Sequence, residues 1–68
     1  MDENTYKKIE IVGTSKKSLS AAVENGLKRA AKTVKNMDWF EVTELRGRID
    51  DGAVGQYQVT LKVGFRLE

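Results

Sequence analysis

Cysteine and histidine are both missing from this 68-residue chain. Without cysteine there is no disulfide to staple a small fold and no thiol nucleophile. Without histidine there is no imidazole base, and without either there is no zinc site of the usual kind. A carboxylate or a lysine could still move a proton. However, no nucleophile is paired with a base at a recognisable spacing, so the expectation is that the protein is not an enzyme. Long apolar runs are missing too. None approaches membrane-spanning length, and no signal-peptide core is present. This reads as a soluble, cytoplasmic protein with no membrane partner. An excess of one charge is also lacking. The 12 basic and 10 acidic residues leave a net charge of +2. That is too mild and too evenly mixed to argue for nucleic acid. No Gly-rich phosphate loop occurs; Gly13-Thr14-Ser15 before a helix is a faint echo of one.

What remains is one small domain spanning residues 1–68. A chain of this size buries only about 60% of its unfolded surface. With disulfides and metals set aside, oligomerisation is the remaining common way to stabilise it. Residues 1–4 form a polar lead-in. Tyr6 to Thr14 reads as a strand, because Ile9 and Ile11 alternate with Lys8 and Glu10. Ser18 is a good N-cap. After it, Leu19, Ala22, Val23, Gly26, Leu27, Ala30, Ala31 and Val34 fall at helical spacing. That stripe is rich in Ala and Gly, so a sheet can approach the helix closely. Lys32 and Lys35 suit its final turns, and Asn36 suits its stop.

Met37 to Asp50 is the second strand, Asp51-Gly52 a tight turn, and Val54 to Leu67 the third strand. In the third, Tyr57, Val59, Leu61, Val63, Phe65 and Leu67 share one face, opposite Gln56, Gln58, Thr60, Lys62, Gly64 and Arg66. The second strand breaks a strict two-residue period. Phe40 and Val42 have one parity, Leu45 and Ile49 the other. An extra residue near Thr43-Glu44, a β-bulge, repairs this. It also puts Trp39, Glu41 and Arg46 on one outer face. The fold class is α+β. The order is β-α-β-β, with a three-stranded antiparallel sheet partly wrapped around one helix.

The outer face carries the candidate chemistry. Trp39, the sole tryptophan, is either a packing residue or a stacking platform for a flat aromatic ligand. Gln58 offers one acceptor and two donors, a set able to read the edge of a heterocycle. Otherwise it is a solvated strand residue. Arg46 and Arg66 suit phosphate by fork-shaped hydrogen bonding. Otherwise they pair with Glu41, Glu44 or Asp50. The helix basics Lys28, Arg29, Lys32 and Lys35 read as a solvated face.

Taken in order, several stretches resemble the dodecin family of small flavin-binding proteins. They are Tyr6-Lys7-Lys8-Ile9-Glu10-Ile11-Val12-Gly13-Thr14-Ser15, Asp38-Trp39-Phe40-Glu41-Val42, Leu45-Arg46-Gly47, Asp51-Gly52, and the run from Tyr57 to Leu67. The resemblance covers nearly the whole chain. It implies a homododecameric shell of twelve copies with cubic symmetry. Flavins, FMN or riboflavin, would stack in pairs between Trp residues of neighbouring subunits. By position, Trp39 would be the stacking residue and Gln58 the contact to the ring edge. Arg46 and Arg66 would serve the edge or the FMN phosphate. The implied role is flavin storage and photoprotection without turnover. Some bacterial relatives are also linked to coenzyme A, for which Lys7, Arg29, Thr33 and Lys35 are the candidate contacts. The alternative is a structural or partner-binding oligomeric module without flavin.

Overall fold

The structure, a computed structural model, describes residues 3–68. Met1 and Asp2 of the polar lead-in lie outside the described residues. Four elements follow one another: β1 (Tyr6–Ser15), α1 (Leu19–Ala30), β2 (Met37–Asp50) and β3 (Ala53–Arg66). They form one three-stranded sheet in the order β1-β3-β2. Both pairings are antiparallel. The last strand is therefore the middle one, paired on both sides. The β2–β3 turn is set by Asp51 and Gly52, both at positive φ (53° and 74°). Such a turn matches the right-handed twist of its flanking strands.

The expected bulge is present. Val42 pairs with Leu61 and Glu44 with Thr60, leaving Thr43 as the extra residue. Two more register shifts fall between Met37 and Trp39 and between Arg48 and Ile49. After the Thr43 bulge the parity of β2 switches. Phe40, Val42 and Leu45 stand opposite the core residues Val63, Leu61 and Val59. Trp39, Glu41, Glu44 and Arg46 stand opposite Gly64, Lys62, Thr60 and Gln58 on the outer face.

Helix α1 starts at Ser18, whose side chain accepts from the Ala21 amide at 3.0 Å. It ends earlier than its apolar stripe suggested. Lys32 and Thr33 donate to carbonyls three residues back, Arg29 and Ala30. This tightens the last turn, as short 3₁₀ segments do. The chain then reverses through Asn36 (φ 64°) into β2. Lys28 and Arg29, not Lys32 and Lys35, therefore occupy the last helical turn.

The helix lies along β1 and β3. Ala22, Val59, Leu61 and Val63 form the buried centre, with Ile9, Ile11, Val23, Leu27, Met37 and Tyr57 packed around it. The inner face of β2 extends past this cover. Phe40, Val42, Leu45 and Ile49 are exposed there, Ile49 at 75%. Val54, the partner of Ile49, is exposed as well. A run of large apolar side chains in the open is characteristic of an interaction surface.

Candidate functional site: the outer face around Trp39

The outer face is laid out by register. One row runs Lys8, Gly64, Trp39 from β1 through β3 to β2. The next row runs Glu10, Lys62, Glu41. Gly64 has no side chain to fill the middle of its row. The indole of Trp39 takes that space. A Cβ added at Gly64 would run into Cζ2, Cε2 and Cη2 of the indole. Tyr6 from β1 meets the ring edge-on, with centroids 5.2 Å apart and planes at 66°. This is the T-shaped geometry that ring quadrupoles favour. Trp39 is nevertheless 38% exposed. It is seated rather than buried, and keeps part of its ring surface open.

The polar edge of the indole is also engaged. Trp39 Nε1 donates to Glu41 Oε2 at 3.3 Å, and Lys8 Nζ donates to the same oxygen at 2.7 Å. The Lys8 hydrogen bond, then that of Trp39, then the charge of Lys8 hold the Glu41 carboxyl below its ordinary value. Lys62 adds a smaller push in the same direction. A carboxylate with a depressed pKa contributes its interaction above the unfolded-state value and loses it as pH falls through the folded value. The intrinsic fluorescence of Trp39 should therefore stay flat from neutral pH down to the ordinary carboxylate range and change only below it. A pH titration of indole emission checks this. A transition near neutrality would contradict the assignment.

Gln58 sits in the middle strand, opposite Arg46 on β2 and Thr14 on β1. Its Nε2 donates to Gln56 Oε1 at 3.0 Å. Arg66 pairs with Tyr6, one row beyond Trp39, and lines an open cleft with Thr33, Lys35 and Asn36. The four flavin candidates therefore share one face but form two groups. Gln58 is six residues along β3 from Gly64, roughly 20 Å at strand rise. That is beyond the joint reach of a Trp and a Gln side chain. One copy of the chain brings Trp39 close to Arg66 and Gln58 close to Arg46, but does not join the two groups.

The coenzyme A candidates also separate. Arg29 and Thr33 line a cleft of about 340 Å³ between α1 and β1, together with Ile11, Val12 and Lys32. Thr33 and Lys35 line the cleft of about 330 Å³ that Arg66 shares. Lys7 lies on β1 opposite Phe65.

Sequence reasoning considered Glu41, Glu44 and Asp50 as arginine partners for Arg46 and Arg66. The structure places them elsewhere. Glu41 pairs with Lys8, Asp50 with Arg48, and Glu44 accepts from Thr60 Oγ1. Sequence reasoning also missed Tyr6, Lys8 and Gly64 as neighbours of Trp39. Their signal was parity. Tyr6 and Lys8 fall on the polar face of β1, and Gly64 interrupts the row of larger side chains on the outer face of β3.

Among the described residues, no group of three or more Asp, Glu, His or Cys side chains is placed to hold a metal ion. No helix among them is long and apolar enough to cross a membrane.

Comparison with known proteins identifies the family of the chain. The chain is 57% identical over 63 residues to a dodecin of Thermus thermophilus, covering 93% of this chain and 91% of that one. It superposes on the dodecin of Streptomyces davaonensis with a TM-score of 0.96 and 49% identity, over 98% of each chain. A more distant neighbour is a calcium-chelating antigen of Mycobacterium tuberculosis, described as a calcium dodecin. It is 30% identical, with a TM-score of 0.82, over 94% of this chain and 91% of that one. The dodecin family model matches residues 5–68, and the chain belongs to that family.

Proposed function

We propose that this protein binds and stores flavin, FMN or riboflavin, without turning it over, in a self-assembled homododecameric shell. The observation that carries this reading is the seat of Trp39. An indole laid over a glycine, braced at one edge and hydrogen-bonded at another, keeps exposed ring surface on an open sheet face. The residues fit a flat aromatic ligand. Trp39 provides the stacking surface, Gln58 a donor–acceptor edge, and Arg46 and Arg66 cations for an edge or a phosphate. Because Trp39 and Gln58 are too far apart in one copy, the complete site draws on neighbouring copies. Symmetry supplies both groups to one site from a single short sequence. The open apolar face of β2, with Phe40, Leu45 and Ile49, supports assembly of this kind.

Flavin brings its light absorption and redox chemistry to such a site. The protein's contribution is an electron-rich ring in contact, which quenches the excited state, and exclusion of water from the stack. Arg29, Thr33 and Lys35 would serve a phosphorylated second ligand such as coenzyme A, with Thr33 and Lys35 in the cleft that Arg66 also lines.

The test is a titration of FMN fluorescence with assembled wild-type protein and with Trp39→Ala. Strong quenching is expected from the wild type. Ring stacking is worth about 1–3 kcal/mol, so affinity should fall roughly 5- to 150-fold in Trp39→Ala. An assembled wild-type protein that leaves FMN emission unchanged would sink the flavin reading. A partner-binding oligomer, with Trp39 as a contact to another protein, would then take its place.

A further inference from the structure

We propose that Glu41, itself held by Lys8, is the positioning residue that fixes the plane and the edge direction of the Trp39 indole. The purpose assigned to this clamp, flavin stacking, rests on the reading above. The clamp itself rests on the geometry of the chain.

An exposed tryptophan on a strand has two free side-chain torsions and samples several staggered states. A stacking platform that must order itself on binding loses affinity to that ordering. Three contacts restrain Trp39. Gly64 beneath and Tyr6 at the edge are apolar contacts. They define where the ring lies but do not tell one edge of it from the other. The hydrogen bond from Nε1 to Glu41 Oε2 does, because the indole has a single N–H donor.

Glu41 alone would be a poor anchor, since it is exposed and flexible. Lys8 changes that. It starts on the far edge strand β1 and reaches across β3, where Gly64 carries no side chain of its own. There it binds the same oxygen that Trp39 binds, at 2.7 Å. The Oε2 atom therefore ties β1 to β2 across the middle strand and holds the indole N–H as it does so. Lys62, directly opposite Glu41 in register, adds positive charge beside the carboxylate. An isolated surface ion pair contributes little to stability. This one is placed to orient a ring.

The sole tryptophan makes the proposal directly measurable, because one indole N–H signal reports on one site. The variants are Glu41→Ala, which removes both bonds, and Glu41→Gln, which keeps an oxygen for the indole but loses the ionic pair with Lys8. All side chains concerned are exposed, and size-exclusion chromatography verifies assembly. In the flavin-free protein, Glu41→Ala should shift the indole N–H resonance and lower Trp39 fluorescence anisotropy, and Glu41→Gln should restore both in part. With FMN added, Glu41→Ala should bind about 5-fold more weakly, mainly through faster release. An indole resonance and anisotropy unchanged in Glu41→Ala would overturn the proposal. If wild type bound no FMN while the indole signal still followed Glu41, the flavin reading would fall and the clamp would stand.

Discussion

Replacing Gly13 by alanine should cost this protein about 3 kcal/mol, a loss of native packing that shows as a drop in Tm of roughly 12–24 °C. The reason is local and steric. Gly13 lies on the inner face of β1, opposite Val59. A Cβ at this position would collide with the Ala22 carbonyl oxygen of α1. It would also lie 3.0 Å from the Ala22 carbonyl carbon and 3.2 Å from the Gly26 Cα. All three atoms are backbone and cannot rotate away, so the whole helix must move. Ala22 is fully buried against Val59, Leu61 and Val63, so movement opens the core. Small cores have little stability to lose. Gly26→Ala is the internal control. Its Cβ would meet the Gly13 Cα at 3.1 Å, a milder contact, and alanine favours a helix over glycine by about 1 kcal/mol. Its Tm should fall far less. Melts by circular dichroism at fixed protein concentration make the comparison. If Gly13→Ala melted within about 2 °C of wild type, helix and strand would not be in the contact described.

The same small-residue logic shows which parts of this molecule were legible in its sequence. The Ala- and Gly-rich stripe of α1 announced a close helix–sheet approach, and Ala22 and Gly26 are indeed buried. The parity conflict between Phe40, Val42, Leu45 and Ile49 announced a bulge, because one buried face demands one register. Asp51-Gly52 announced the turn. The end of α1 was harder to read. Val34 continues the apolar spacing, but spacing does not record that the chain must turn back into β2. Hydrogen bonds from Lys32 and Thr33 to carbonyls three residues back carry that information. The outer face was legible as a list of side chains on one surface. It was not legible as contacts. The choice of Lys8 rather than an arginine as partner of Glu41 depends on which strand lies in the middle. The order β1-β3-β2 puts Gly64 between Lys8 and Trp39. No local pattern in β1 or β2 contains that fact. The roughly 20 Å between Trp39 and Gln58 likewise follows only from the full register.

Alanine at Gly64 should do the opposite of alanine at Gly13: it should leave the fold standing and unseat the indole of Trp39. The added Cβ meets Cζ2, Cε2 and Cη2 of Trp39, which belong to a side chain that can swing outward. Gly64 pairs with both Lys8 and Trp39, so it lies within a fully paired middle strand. A glycine inside a strand is about 0.5–1 kcal/mol less favourable than alanine. That gain offsets lost contacts with the displaced ring, so Tm should stay within a few degrees of wild type. The indole, however, cannot keep its seat. Lifted off β3, it loses the edge contact with Tyr6 and the bond to Glu41 together. FMN affinity should then fall by an amount approaching that of Trp39→Ala, about tenfold or more. The two variants remain distinguishable, because Gly64→Ala still contains its tryptophan. Its emission should shift towards that of a solvated indole, and its anisotropy should drop. Wild-type quenching and wild-type emission in Gly64→Ala would mean that the ring does not depend on the glycine beneath it. A stable, assembled Gly64→Ala protein with weak flavin quenching would separate the platform from the fold. That would show that the glycine near the C-terminal end of β3 serves the ring above it rather than the strand it interrupts.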